Sequence, residues 1–249
     1  MLRKRLVTVL TFNDGVLFRT KLFRPDYRYT LNFVDAWSVD EIVLLDVTRA
    51  EGPLREPFLE IVSQFARRCF VPLAAGGGVR TVDDFRALLN VGADKVLVNT
   101  GAVERPALIT EGARLFGAQC VVVSIDAMRR ADGGYEVCTH FGERPTGLEP
   151  ASWAREAERL GAGEILITAI ERDGALEGYD NELNRRVAEA VSIPVLVCGG
   201  AGKWQDFVDG FQQGQASAVC TTNIYHFTDA SIRSAKQFLH QAHIAVRSA

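Results

Sequence analysis

Two glycine-rich stretches are the first parts of the chain that could do chemistry. Gly76-Gly77-Gly78 is followed by Asn99-Thr100, and Gly199-Gly200-Ala201-Gly202 is followed by Thr221-Thr222-Asn223. Glycine lets an oxyanion approach the backbone closely, and backbone N–H groups at a helix start bind phosphate. One such set alone is typical of a tight turn, but two equivalent sets favour two phosphate sites. They predict a small-molecule ligand that is phosphorylated at both ends.

Eight short apolar runs, separated by stretches of helical periodicity, must position these glycines. The runs cover residues 5–12, 41–47, 70–75, 95–98, 119–125, 164–168, 194–198 and 216–221. Strands that alternate with helices pair in parallel, and eight such units close into a (βα)8 barrel of about this length. The sequence therefore predicts an α/β protein with the TIM-barrel fold, in which residues 1–249 form a single domain.

The chain also contains an internal repeat. "EIVLLDVTRAEG" from Glu41 resembles "EILITAIERDG" from Glu164, an offset of 164 − 41 = 123. The glycine pairs give the same offset when Gly76 is matched to Gly199, since 199 − 76 = 123. Two half-barrels of four units each account for this pattern. Residues 129–147 break the alternation and predict a small inserted hairpin, either a surface excursion or a flap at the rim.

Composition narrows the class of protein. The net charge is −3 without a basic run, which argues against nucleic acid as a partner. No uncharged apolar run is long enough to span a membrane. Five scattered cysteines lack the spacing of a metal or redox site and are typical of reduced thiols. We therefore expect a cytoplasmic protein without a metal or cofactor.

Longer motifs resemble a known family over nearly the whole chain. The matching stretches include "VDEIVLLDVT", "GGGVRT", "GADKVLVNT", "VVVSIDAMR", "GAGEILIT" and "GGAGK". They are similar to the cyclase subunit of imidazole glycerol phosphate synthase and its paralogues. The resemblance implies a barrel that docks a glutaminase subunit on its N-terminal face. Ammonia would then pass along the barrel axis and react with a doubly phosphorylated substrate at the C-terminal face.

The resemblance also implies a pair of aspartates for acid/base catalysis, at the ends of the first and fifth barrel strands. Asp126 in "SIDAMR" occupies the second position, but Thr11 stands at the first. Arg19 stands where the family has a lysine, and its pKa is too high for proton transfer. We therefore expect the ancestral cyclisation to be impaired, unless Glu171 or Asp173 substitutes for the missing carboxylate.

The N-terminal face, in contrast, retains the family's features. Four charged residues at strand starts match a ring that gates ammonia, namely Arg5, Glu41, Lys95 and Glu164. Asp94 matches a residue that faces the glutaminase. We expect the barrel interior between this ring and the C-terminal rim to be a polar conduit. The matched motifs place further side chains or phosphate-binding backbone at the rim: Asp46, Thr168, Glu171, Asp173 and Gly174.

Three functions are compatible with these residues. The first is an ammonia-channelling subunit that works with a glutaminase and a sugar amidotransferase, as in the paralogues associated with acetamidino sugars of surface polysaccharides. The missing aspartate and the segment "KLFRPDYRY" favour that branch. The second is a genuine cyclase of histidine biosynthesis. The third is a sugar isomerase, which needs no charged gate.

Overall fold

The computed structural model describes residues 3–21, 23–28, 39–49, 55–221 and 232–247. Its strands, in chain order, are β1 (Arg5–Asn13), β2 (Val16–Lys21), β3 (Arg24–Arg28), β4 (Glu41–Asp46), β5 (Leu73–Gly76), β6 (Lys95–Val98), β7 (Val121–Arg129), β8 (Tyr135–Thr139), β9 (Arg144–Pro145), β10 (Glu164–Ala169), β11 (Val195–Cys198) and β12 (Ala218–Thr221). Its helices are α1 (Glu56–Arg68), α2 (Val82–Asn90), α3 (Thr100–Glu104), α4 (Ala107–Phe116), α5 (Pro150–Leu160), α6 (Asn181–Ala190), α7 (Trp204–Gln212) and α8 (Ile232–Gln241).

Eight of these strands form a closed parallel barrel. Going around it, the order is β1, β4, β5, β6, β7, β10, β11 and β12, and β12 pairs again with β1. This confirms the predicted (βα)8 TIM barrel. The third predicted strand starts later than expected, at Leu73 rather than Phe70, and Phe70 is exposed. The fifth is preceded by a short 3₁₀ turn, Ala118–Cys120, and runs on to Arg129.

Amphipathic helices cover the outside of the barrel. In α1 the buried residues are Phe58, Ile61, Val62 and Phe65, which is the spacing of one helix face. Helix α2 begins with a capping box, in which the Thr81 hydroxyl accepts from the Asp84 backbone and the Asp84 carboxylate accepts from Thr81. Within the described ranges, no helix has the length and apolar character needed to cross a membrane.

Strand alternation separates two apolar layers. Leu6 and Leu10 of β1 pack toward the helices, whereas Val7 and Val9 belong to a second cluster inside the barrel. The other fully buried members of that cluster are Val43, Ala74, Leu97, Val122, Leu166, Leu196, Ala218 and Cys220. The expected polar conduit is therefore wrong for the described interior, because the residues above the strand starts are nearly all aliphatic.

Strand registers refine the internal repeat. Leu45 of β4 lies opposite Gly76 of β5, and Thr168 of β10 lies opposite Cys198 of β11. Strands β4 and β10 are therefore offset by 168 − 45 = 123 residues, but strands β5 and β11 are offset by 198 − 76 = 122. The predicted offset of 123 is thus wrong for the glycine loops that follow β5 and β11. Gly76 is thus equivalent to Cys198, and the pair that follows Gly76 is equivalent to the pair Gly199-Gly200. The half-barrel duplication itself is confirmed.

Two antiparallel ribbons extend beyond the barrel. Strand β2 pairs with the end of β1 and with β3, while β8 pairs with the end of β7 and with β9. The second ribbon occupies the region of the predicted hairpin, with its turn around Asp132-Gly133. The first ribbon was not predicted. Because β1 and β7 are four strands apart in either direction around the barrel, the ribbons rise from opposite sides of its mouth.

A buried ion pair attaches the last helix to the barrel floor. Lys236 Nζ of α8 donates to Asp40 Oδ1 at 2.8 Å, and the Leu6 backbone N–H donates to Asp40 Oδ2 at 2.9 Å. The side chains of Lys236 and Asp40 are only 4% and 2% exposed. Burial of both charges is tolerated because each has a partner, so removal of one leaves an uncompensated charge.

We expect Lys236→Met to lower the free energy of unfolding by about 3–5 kcal/mol, because Asp40 would remain buried without its cation. Urea denaturation measures this change. Arg233→Met is the matched control, since Arg233 lies on the exposed side of the same helix. Equal stabilities of the two variants would contradict the role assigned to this ion pair.

Candidate functional site at the two ends of the barrel

Four charged side chains close a ring at the barrel floor. Arg5 contacts Glu41 at 2.6 Å and Glu164 at 3.0 Å, while Lys95 contacts the same carboxylates at 2.9 and 2.8 Å. Each residue starts a barrel strand, and alternation turns all four side chains inward. The ring alternates in sign, so every charge has two opposite neighbours. This is the set that the sequence motifs assign to a gate, and the structure brings all four members together.

In this ring, the attraction between opposite charges outweighs the cost of removing those charges from water. Burial acts to lower the pKa of the Arg5 guanidinium, but the Glu164 and Glu41 carboxylates raise it above its ordinary value. Glu41 is 1% exposed, so Arg5 and Lys95, rather than water, stabilise its negative charge. Asp94, next to Lys95, is exposed, and its Oδ2 accepts from the Leu73 backbone N–H at 2.8 Å. Asp94 therefore lies at the floor, where the motif places it.

At the opposite end, Asp126 forms the centre of the rim. It lies near the end of β7, where Asn99 Nδ2 donates to its Oδ2 at 2.6 Å. Burial raises the pKa of Asp126 to about 7, opposed by the Asn99 hydrogen bond and assisted by the charge of Asp173. A carboxyl group that titrates near neutrality can both accept and donate a proton under physiological conditions.

Thr11 occupies the position related to Asp126 by the internal repeat. Thr11 lies opposite Leu45 of β4, and Asp126 lies opposite Thr168 of β10, the residue equivalent to Leu45. The side chain of Thr11 is buried, and its hydroxyl donates to the Phe18 carbonyl oxygen of β2. A threonine hydroxyl cannot supply the proton transfer of a carboxyl group near neutral pH. At these two equivalent positions the barrel therefore presents one carboxyl group rather than two.

The glycine loops adopt conformations that other residues rarely reach. Gly77 has φ +110°, and a Cβ there would lie 2.2 Å from the Asp46 carbonyl oxygen. Gly199 has φ +89°, and its Cβ would meet the carbonyl oxygen of Ala169, the residue equivalent to Asp46. Gly78 and Gly200, which follow them, also have positive φ. Close approach to the preceding strand explains why both halves need glycine here.

Residues near the first glycine loop have protein partners of their own. The Asn99 amide is bonded to Asp126, and the Thr100 hydroxyl accepts from the His140 backbone N–H at 3.1 Å. The sequence missed the contact between Asn99 and Asp126; their matching positions at the ends of neighbouring strands β6 and β7 are the only signal that could have found it. Thr222 and Asn223, predicted for the second loop, lie outside the described residues.

The remaining predicted rim residues differ in what they contact. Burial and then the charge of Asp173 raise the pKa of Cys198 to about 12, so this thiol is not a nucleophile at neutral pH. Thr168 is buried, and it lies opposite Asp126 of β7 on one side and Cys198 of β11 on the other. The Phe23 backbone N–H donates to Asp173 at 3.1 Å, and the Arg129 backbone N–H donates to Glu171 at 3.0 Å.

Asp46 and Gly174 lie in turns that follow barrel strands. Asp46 accepts from the Thr48 backbone N–H at 3.0 Å and shapes the turn after β4. Gly174 has φ +69° in the loop after β10. Arg19 lies in β2, and its side chain is outside the described part of the structure.

The β8–β9 ribbon packs firmly against the barrel. Tyr135 is buried and bonds both oxygens of Asp180, the N-cap of α6, at 2.9 and 3.0 Å. Arg129 and Arg186 lie 4.9 and 5.3 Å from the Tyr135 ring. Because Cys138 pairs with Asp126 in the strand register, this ribbon stands directly beside the acid/base group.

Known proteins resemble the chain over most of its length. The family described as histidine biosynthesis protein matches residues 8–231. The chain belongs to this family. It is 48% identical over 208 residues to the imidazole glycerol phosphate synthase subunit HisF of Alkaliphilus metalliredigens (strain QYMF), a match that covers 84% of this chain and 82% of that protein. The family resemblance carried by the sequence motifs is confirmed, whereas placement among the sugar-modification paralogues stays a prediction.

The raised pKa of Asp126 gives a testable pH dependence. The folded state keeps a proton that the unfolded chain releases, so stability should fall as pH rises from 3.8 to about 7. Asp126→Asn removes this effect. Urea unfolding at about pH 4 and about pH 8 should show the variant gaining roughly 2–4 kcal/mol relative to the wild type over that range. Asp83→Asn, at an exposed carboxylate, serves as the control; a pH-independent difference for Asp126→Asn would contradict the raised pKa.

Proposed function

We propose that this chain is the cyclase-type subunit of a glutaminase-coupled synthase, and that it uses ammonia at its C-terminal rim. A glutaminase docked on the N-terminal face, near Asp94, would supply ammonia through the ring of Arg5, Glu41, Lys95 and Glu164. The observation that carries the proposal is that this closed ring and the neutral-range carboxyl group Asp126 lie at opposite ends of one barrel interior.

The apolar interior suits this route. Ammonia passes as a neutral molecule, so the aliphatic layer that includes Val43, Leu97 and Leu166 excludes ions and bulk water without blocking it by charge. The floor ring is closed in the isolated chain, and passage requires one ion pair to part when the partner docks. At the rim, Asp126 then transfers the protons that amine addition and ring closure require.

The substrate would carry phosphate groups at the two glycine loops. Gly77-Gly78 and Gly199-Gly200 follow opposite strands of the barrel, and their positive φ values are repeated in both halves. A ligand with two phosphates would therefore lie across the mouth, with its centre above Asp126. The similarity to the HisF subunit of a synthase named for imidazole glycerol phosphate supports the cyclase reaction as the first candidate.

Thr11 favours a second candidate, in which the chain passes ammonia to a sugar amidotransferase that modifies a surface polysaccharide. The buried Thr11 hydroxyl donates to the Phe18 carbonyl oxygen, so the position opposite Asp126 supplies no second carboxyl group. Loss of one acid/base group costs about 10²- to 10⁴-fold in rate. Delivery of ammonia needs the ring and the interior but does not need that second group.

Lys95→Met tests the ammonia route. Glu41 and Glu164 would then share Arg5 alone, so the ring would loosen and ammonia would exchange with bulk water. Turnover supported by glutamine and the glutaminase should fall roughly tenfold, which corresponds to a loss of about 1.4 kcal/mol in the free energy that keeps the ring closed. Turnover supported by ammonium salt should stay unchanged, because that ammonia reaches the rim from solution. Arg3→Met removes an exposed cation from the same face as a control. A parallel loss of both activities would contradict the route.

Thr11→Asp separates the two candidates. If the mouth binds the cyclase substrate, a restored carboxyl group opposite Asp126 should raise ammonium-supported ring formation by at least about tenfold. Thr11→Ser keeps a hydroxyl and should leave the rate unchanged. Steady-state formation of imidazole glycerol phosphate is the measurement. No product from either variant or from the wild type would favour delivery of ammonia to a separate sugar-modifying enzyme.

A further inference from the structure

The two ribbons meet above the mouth of the barrel. The turn between β2 and β3 contains Phe23, and the turn between β8 and β9 contains Gly142. A Cβ on Gly142 would lie 3.3 Å from Phe23 Cδ2 and 3.2 Å from Ile170 Cδ1, so the Phe23 ring packs directly on the glycine. Since the ribbons rise from opposite strands, this contact completes a span across the mouth. We call Phe23, His140, Phe141, Gly142 and Glu143 the bridge.

Arg49, from the segment after β4, fastens the bridge. Its Nη1 forms an ion pair with Glu143, and its Nη2 donates to the Phe23 carbonyl oxygen at 3.0 Å. The guanidinium also lies 5.2 Å from the centre of the Phe141 ring. One side chain therefore contacts both ribbons, through groups that a planar guanidinium presents in fixed directions.

Other contacts hold the bridge to the rim below it. The Phe23 backbone N–H donates to Asp173, and the His140 backbone N–H donates to Thr100, each at 3.1 Å. Phe23, His140 and Phe141 have φ of +60°, +50° and +61°, values that residues other than glycine rarely adopt. Such conformations persist where surrounding contacts determine them. These contacts hold both turns in the conformations in which the two ribbons touch.

The bridge crosses the line between the two glycine loops. It runs from β1 to β7, whereas the loops follow β5 and β11, each of which is two strands from β1 and two from β7 around the barrel. A ligand that joins the loops must therefore pass beneath the bridge at its midpoint. Two acidic groups lie where the bridge meets the rim: Asp126 is near the end of β7, and Asp173 accepts from the Phe23 backbone N–H.

We propose that Arg49 is a positioning residue that holds the two ribbons together over the centre of a doubly phosphorylated ligand and presses that centre toward Asp126. This proposal rests on the proposed function for the identity of the ligand. The bridge itself is a property of the chain alone. The ion pair of Arg49 is largely exposed, so the bridge is held by a weak contact that can open to admit the ligand.

Amide hydrogen exchange of the ligand-free chain tests the bridge. Arg49→Gln should raise the exchange of residues 16–28 and 139–146 roughly three- to tenfold. Glu143→Gln should also raise the exchange of residues 16–28, which Glu143 reaches through Arg49. Arg105→Gln is the matched control, because Arg105 forms an equally exposed ion pair with Glu111 away from both ribbons. Unchanged exchange of residues 16–28 in Glu143→Gln would overturn the proposal, as would the same increase in the control.

Kinetics then test the positioning role. In the assembled enzyme with ammonium salt, Arg49→Gln should raise the KM for the phosphorylated substrate, since the variant lowers the population of the bridged state that binds the ligand. A lowered kcat with unchanged KM would overturn positioning of the ligand. If the wild type shows no turnover of that substrate, the cyclase candidate fails, while the exchange result still decides whether the bridge exists.

Discussion

Every functional feature of this chain depends on the alternation of side chains in a closed parallel barrel. In each barrel strand, successive residues point to the helices and to the axis, and water is excluded from both directions. An inward residue must therefore be apolar or fully paired. The floor ring satisfies the second condition, because Arg5 and Lys95 each bond both Glu41 and Glu164. The aliphatic layer above it satisfies the first.

The internal repeat gives the two halves of the barrel the same backbone turns but different side chains at the rim. Gly77 and Gly199 press against equivalent carbonyl oxygens in the two halves, so the same backbone turn was retained twice. Thr11 and Asp126 occupy equivalent positions, yet only Asp126 carries a carboxyl group. Its burial raises its pKa into the neutral range, which suits a single group that must both accept and donate a proton. The scaffold is therefore conserved between the halves while the reactive groups are not.

The rim is more enclosed than a bare ring of loops. Tyr135 ties one ribbon to α6 through Asp180, and Arg49 ties both ribbons to each other. These contacts are made by residues far apart in the chain, and the β8–β9 ribbon pairs with β7 at Asp126. The proposed bridge would exclude water from the site, and this would strengthen each electrostatic contact within it.

The sequence by itself determined the barrel, its eight strands and the repeat, because strand periodicity and motif spacing are local properties of the chain, and the resemblance of its motifs to a family implied the floor ring. It did not determine the polarity of the interior, since all eight strands must be in register before inward residues such as Val43 and Leu166 form one layer. The one-residue difference in the glycine offset likewise required the pairing of β4 with β5 and of β10 with β11. Tertiary structure alone joined Asn99 to Asp126, Lys236 to Asp40 and Arg49 to Phe23, because pattern and spacing carry no distance between residues that meet only after the chain has closed.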